Sequence, residues 1–155
     1  MNTDKKISRR EALKRMGFAV MSGAIASSGL LSLASCETKR SKRIIFYFTG
    51  TGNSLYIARQ LAGENAELLS IPQMVKRGKY EFEADEIGIV YPIYGHMPPY
   101  MVRQFIQKAK LKAEYKFAVL TYGARKCDAV EIWDRISRKA DNAFDYINTI
   151  IMVDN

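Results

Sequence analysis

The chain is expected to fold as an α/β domain built on a doubly wound, five-stranded parallel sheet. Three observations predict it. Short apolar segments rich in β-branched and aromatic residues recur from Arg43 onward, too brief for helices. Segments with apolar residues at helical spacing alternate with them. Strands this continuously apolar are buried on both faces, which a parallel sheet with helices on each side provides. With 155 residues, 48% hydrophobic and 26% charged, the composition suits one globular domain rather than a disordered segment.

The elements follow in order. "RIIFYFT", Arg43 to Thr49, reads as the first buried strand. From Asn53 to Gly63, Leu55, Ala58, Leu61 and Ala62 recur at helical spacing, and Gly63 supplies the stop. "AELLSI", Ala66 to Ile71, is a short second strand. Pro72 to Asp85 lacks a clear period and is expected to be mostly loop, with at most a helical turn at Met74 to Lys76. "EIGIVYPIY", Glu86 to Tyr94, is the third strand, broken at Pro92. Pro98-Pro99 opens a helix with Met101, Val102, Phe105, Ile106 and Ala109 on one face. "KFAVLTYG", Lys116 to Gly123, is the fourth strand. Ala129, Ile132, Trp133, Ile136 and Ala140 mark the next helix, with Trp133 in the core. "FDYINTIIMV", Phe144 to Val153, contains the fifth strand. A sheet of this kind needs a helix after its last strand to cover one face. None follows here, so either the domain is C-terminally truncated or its last strand is exposed, and truncation is the preferred reading.

The N-terminus has its own logic. A basic stretch precedes an uncharged run from Met16 to Ser35 and then Cys36, the layout of an export signal. "SRREALK", Ser8 to Lys14, resembles a twin-arginine signal, with Ala12 where that pattern prefers an aromatic residue. "LASC", Leu33 to Cys36, resembles a bacterial lipobox, in which the cysteine is lipidated and becomes the mature N-terminus. An uncleaved membrane anchor and a plain cleaved signal are the alternatives. The resulting division is an export signal over residues 1–35, a linker over 36–42 and one domain over 43–155. The domain is then expected outside the bacterial cytoplasmic membrane, held as a lipoprotein that faces the periplasm or exterior.

Charge and cysteine content exclude several classes. The formal net charge is +8, but the first 35 residues hold six basic and two acidic groups. The remaining 18 basic and 14 acidic residues leave only a mild excess, so no nucleic-acid footprint is expected. Two cysteines, Cys36 and Cys127, and the single His96 support neither a disulfide framework nor a metal site. An iron–sulfur cluster needs more thiolates than this chain has. Any redox chemistry must therefore rest on an organic cofactor.

Ligands of such sheets bind beyond the C-terminal ends of the strands. There the chain reads "TGTGNS" after the first strand, "PIYGHMPP" after the third and "TYGARK" after the fourth. In the first, Thr49, Thr51, Asn53 and Ser54 offer hydroxyl and amide donors, while Gly50 and Gly52 let the backbone curl into a helix N-terminus. That combination suits an anion. A plain strand-to-helix turn is the competing explanation. The lysine and spacing of a Walker P-loop are absent, as is G-x-G-x-x-G, so a terminal monophosphate held by neutral donors fits best.

At this point "TGTGNS" resembles the phosphate loop of the flavodoxins, which grips the phosphate of FMN. The resemblance implies a flavodoxin-like strand order of 2-1-3-4-5 and phosphate contacts from Thr49, Gly50, Thr51, Gly52, Asn53 and Ser54. It places Tyr94 and Gly95 against the isoalloxazine ring, and Tyr122 and Gly123 at the other side or edge. "FYFTGTGNS", "IGIVYPIYGHMPPYMVRQFI" and "VLTYGA" are similar to the flavodoxin-like domain of the EFR1 family, in which a ferredoxin domain follows. Two departures stand out: Ala124 where a second glycine is usual, and no ferredoxin cysteines. His96 could hydrogen-bond the flavin or be an ordinary surface residue. Arg125 and Lys126 read as solvated charge or, if turned to the ring, as partners for a reduced anionic flavin.

The resulting expectation is an exported, membrane-tethered, FMN-binding electron-transfer protein served by a redox partner such as a ferredoxin or iron–sulfur domain. No acid–base pair or nucleophile marks a catalytic residue beyond the flavin. The alternatives are a flavin-dependent NAD(P)H or quinone oxidoreductase on the same fold, and a truncated module that no longer binds flavin.

Overall fold

A computed structural model describes residues 42–152. The leader, Cys36 and most of the linker lie outside the described residues, so those expectations carry no structural account.

The strands are β1 (Arg43–Tyr47), β2 (Ala66–Ser70), β3 (Glu81–Glu83), β4 (Glu86–Pro92), β5 (Lys110–Lys112), β6 (Tyr115–Tyr122) and β7 (Tyr146–Ile151). The helices are α1 (Asn53–Ala62), α2 (Ile71–Arg77), α3 (Tyr100–Lys108) and α4 (Ala129–Lys139). Five strands form one parallel sheet in the order β2-β1-β4-β6-β7. Counted without the two short strands, that is 2-1-3-4-5, as expected. β3 and β5 make a separate parallel pair whose inward residues, Phe82 and Leu111, join the main core.

The two faces of the sheet are packed differently. One carries the larger core, where Phe46, Ile89, Tyr91 and Leu120 meet α2, α3 and α4 through Met74, Phe105, Ile106 and Trp133. Among the described residues, the other is covered by α1 alone. Its contact residues are small: Ser54, Ala58 and Ala62 are buried, while Leu55 and Leu61 are only half-buried. Residues one turn apart line one side of a helix, and small ones there let it lie close to the strands. Beyond the reach of α1, Tyr115 and Tyr146 stay 41% and 49% exposed, and Asn148 is exposed beside them.

Three expectations are corrected. Residues 72–85 are not mostly loop. Ile71 and Met74 anchor the seven-residue α2, and Gly78 ends it by donating its amide to the Met74 and Val75 carbonyls. Pro72, which looks like a breaker, stands in the first turn where its missing N–H costs nothing. Met101 is 42% exposed; the buried stripe of α3 runs through Val102, Phe105 and Ile106 to Ala109. The third strand stops at Pro92, so Tyr94 belongs to the following turn rather than to a strand.

Candidate functional site

The first loop is built by its own short-range chemistry. The Phe48 amide still donates to the Val90 carbonyl across the sheet, at 2.9 Å, after which the chain leaves the ladder. The Gly52 amide donates to Thr49 Oγ1 at 2.9 Å and closes the loop into a ring of four residues. Gly52 takes φ +101°, which a side chain rarely tolerates, and so turns the chain directly into α1. The first helical bond then runs from the Tyr56 amide to the Gly52 carbonyl at 2.9 Å.

No side chain caps this helix. The amides of Asn53, Ser54 and Leu55 have no acceptor among the described residues. Uncapped amides at a ten-residue helix start carry a partial positive charge of about half an elementary unit. They are an anion site in waiting.

Ser54 reaches deeper than the sequence implies. It is 1% exposed, and its hydroxyl meets that of Thr121, at the end of β6, at 2.8 Å. Thr121 is equally buried. A hydroxyl has one donor and two acceptor positions, so when Thr121 donates to Ser54, the Ser54 proton is directed away from Thr121. Thr121 was not among the expected residues. A lone hydroxyl in an otherwise apolar strand must find a partner, and that rule is the signal that could have found it.

These groups line a cavity of about 160 Å³ with Tyr94, Tyr122 and Gly123. Its walls also include Pro92 at the end of β4, Ile93 just after it, and Met152, whose amide donates to the Tyr122 carbonyl at 2.8 Å. Eight of the ten expected residues meet here: Thr49, Gly50, Thr51, Asn53, Ser54, Tyr94, Tyr122 and Gly123. Gly52 and Gly95 do not line it. Gly52 acts through the loop's shape. Among the described residues, no charged side chain contributes to the walls.

The second loop is a tight turn. Tyr94 and Met97 exchange backbone hydrogen bonds at 3.0 and 3.1 Å, and the two residues between them, Gly95 and His96, both have positive φ, +53° and +72°. A turn with φ above zero at both central positions is of the primed kind. Gly95 therefore sits at an exposed tip. Tyr94, 52% exposed, leans from the base of this turn over the first loop. A Cβ added at Gly50 would lie 2.5 Å from the Tyr94 hydroxyl, so only glycine admits this closure. The Phe48 ring stands edge-on to Tyr94, with centroids 6.4 Å apart.

The third loop is joined to the second by His96 Nδ1 and Asp128 Oδ1 at 3.4 Å, both exposed. Asp128 then begins α4, accepting from the Ile132 amide through its backbone carbonyl. Arg125 and Lys126 are exposed and outside the cavity walls, and Cys127 beside them is exposed with a free thiol.

Solved structures share this fold. A flavoprotein from Lactobacillus acidophilus, in complex with FMN, matches with a TM-score of 0.52 over 70% of this chain and 93% of that one, at 12% identity. The two-electron reduced flavodoxin of Megasphaera elsdenii matches with a TM-score of 0.53 over 73% of this chain and 88% of its own, at 16% identity. A protein from Bacteroides eggerthii matches at 0.54, covering 74% of this chain and 90% of the other, with 17% identity. No family model and no curated protein matches the chain. The fold is flavodoxin-like.

Proposed function

We propose that the cavity holds the phosphate end of FMN and that the protein is a flavodoxin-like electron carrier. One observation carries the reading. At the C-terminal end of the sheet, an uncapped helix start and five hydroxyl or amide side chains converge on a small cavity beside two tyrosines, with no charged wall among the described residues.

The residues present fit the group. At about 160 Å³ the cavity is smaller than sites that enclose a whole cofactor-sized ligand, so it suits the phosphate and the start of the ribityl chain. Amides of Asn53, Ser54 and Leu55 and hydroxyls of Thr49, Thr51 and Ser54 would donate to the phosphate oxygens. Thr49 Oγ1 already accepts from Gly52, which leaves its proton free to do so. Tyr94 and Tyr122 would contact the isoalloxazine, with Tyr94 exposed enough to move onto it. FMN supplies the transfer of one or two electrons when bound. The chain's own part is to anchor, orient and partly shield it.

The proposal extends to location and partner. The leader supports export through the twin-arginine route and lipidation at Cys36, which would tether the domain to the outer side of the bacterial cytoplasmic membrane. Its similarity to a domain that precedes ferredoxins in the EFR1 family supports an iron–sulfur protein as redox partner. Loss of membrane association in Cys36→Ala would support the lipid tether; unchanged association would remove lipidation at Cys36 and favour the uncleaved anchor.

FMN titration, followed by quenching of flavin fluorescence, tests the site. Saturable quenching that weakens in Thr51→Ala and Asn53→Ala is expected. A folded protein that leaves FMN fluorescence unchanged would overturn the reading.

A further inference from the structure

A second region has chemistry that neither the fold nor the proposed flavin site uses. Between α3 and α4 runs a groove of about 580 Å³, lined by Arg103, Gln107, Arg135, Ile136, Lys139 and Ala140. Its volume falls within the range of small-molecule sites. Arg103 and Gln107 are four residues apart on α3, as are Arg135 and Lys139 on α4, and Ile136 and the C-terminal cap Ala140. Each helix thus turns a continuous row of side chains toward the other.

None of the ion pairs among the described residues includes Arg103, Arg135 or Lys139. Asp134, beside them on α4, is engaged by Arg138 at 2.8 Å. Three cations therefore face one channel without an acid. Arg135 and Lys139 are like charges at a spacing where they repel. A local conflict with no structural return points to a use outside the fold.

Basic side chains that merely cover an apolar floor keep their heads in water. Arg103 departs from that pattern, because its Nε is sealed from solvent and has no hydrogen-bond partner among the described residues. A buried guanidinium N–H without an acceptor is costly. Its guanidinium carbon lies 5.8 Å from the centre of the Tyr100 ring, which holds the group along α3. The groove itself is pinned at one end. Buried Asn142 donates to the carbonyls of Ile106, Ala109 and Ala140 and accepts from the Leu111 amide, which ties the C-terminal ends of the two helices together.

We propose that this groove binds an organic anion, a carboxylate or phosphate monoester carried on an apolar body. The acidic head would lie among Arg103, Arg135 and Lys139, and the body over Ile136 and Ala140. The site is independent of flavin binding.

The test is a titration of the full chain with octyl phosphate, followed by the ¹⁵N-resolved Nε–H signal of Arg103 and the side-chain amide of Gln107. Saturable shifts of both signals are expected, and the Gln107 signal should report at least tenfold weaker binding in the Arg103→Gln/Arg135→Gln double variant. Lys139→Glu, at an exposed helix end, gives a second variant should the first fail to fold. Non-saturating shifts, equal binding by octanol, or unchanged binding in the folded variants would overturn the proposal. Vesicles of phosphatidylglycerol separate the sources of such an anion. Vesicle binding that falls in the same variants would identify a lipid headgroup; vesicle binding that persists while octyl phosphate binding is lost would identify a free anion.

Discussion

The two ends of the proposed flavin site are built by opposite means. At the phosphate end, three groups are fixed by the backbone or a buried side chain: Gly52 by its φ, Thr49 by the Gly52 amide, Ser54 by Thr121. At the ring end, Tyr94 is half-exposed, Gly95 sits on a turn tip, and the loops are linked by the exposed His96–Asp128 contact. Charge-assisted hydrogen bonds contribute about 1.5–3 kcal/mol each, whereas an exposed aromatic contact contributes about 0.5–1.5 kcal/mol. Affinity should therefore reside in the phosphate end, and the ring end should adjust contact and redox behaviour.

The steepest way to break that asymmetry is at Gly52. Gly52→Val forces a β-branched residue into φ +101° and should cost about 1–3 kcal/mol of local strain. FMN affinity is expected to fall at least tenfold by fluorescence titration, and an unchanged affinity would deny the loop its role. Ser54→Ala comes next. It leaves the buried Thr121 hydroxyl without its partner, a loss of about 1–3 kcal/mol of stability in urea unfolding. Adding Thr121→Val should recover most of that stability without recovering FMN affinity. If both return together, Ser54 is a packing residue only.

Gly50→Ala probes the junction between the ends. The new Cβ meets the Tyr94 hydroxyl at 2.5 Å, so Tyr94 must swing outward and FMN affinity should drop severalfold. Gly50→Ala/Tyr94→Phe, which removes that hydroxyl, should regain it. The smallest effects belong to the ring end and to pH. Tyr94→Ala is expected to weaken FMN by about threefold to tenfold, in line with one aromatic contact. Lowering pH through about 6 adds a proton to a phosphate monoester and reduces its charge. FMN affinity should decline across that range while riboflavin affinity stays flat.

The same asymmetry governed what could be read from sequence. The alternation of apolar strands with amphipathic segments specified the parallel sheet, because strands buried on both faces are continuously apolar while the covering helices keep one apolar stripe at a period of 3.6 residues. "TGTGNS" was legible because phosphate binding by backbone demands glycines and small donors at fixed offsets before a helix. Thr121 escaped because its partner lies 67 residues away, and only the three-dimensional register of β6 against α1 brings them together. α2 escaped because seven residues are too few to display a period, and its first-turn proline resembles a breaker. At the ring end no spacing rule exists: a tyrosine in a loop reads the same whether it faces a ligand or solvent. Met101 was misassigned for a related reason, since it borders the apolar stripe of α3 and falls just outside it.

The central claim is that a phosphate, held by neutral donors at the start of α1, anchors the ligand. Parallel titrations with FMN and riboflavin test it most directly, since the two differ only in that phosphate. The account predicts that riboflavin binds at least about 100-fold more weakly, a difference of about 2.8 kcal/mol. Equal affinities would contradict it, because the loop at Thr49 to Ser54 would then contribute nothing that a simple turn does not.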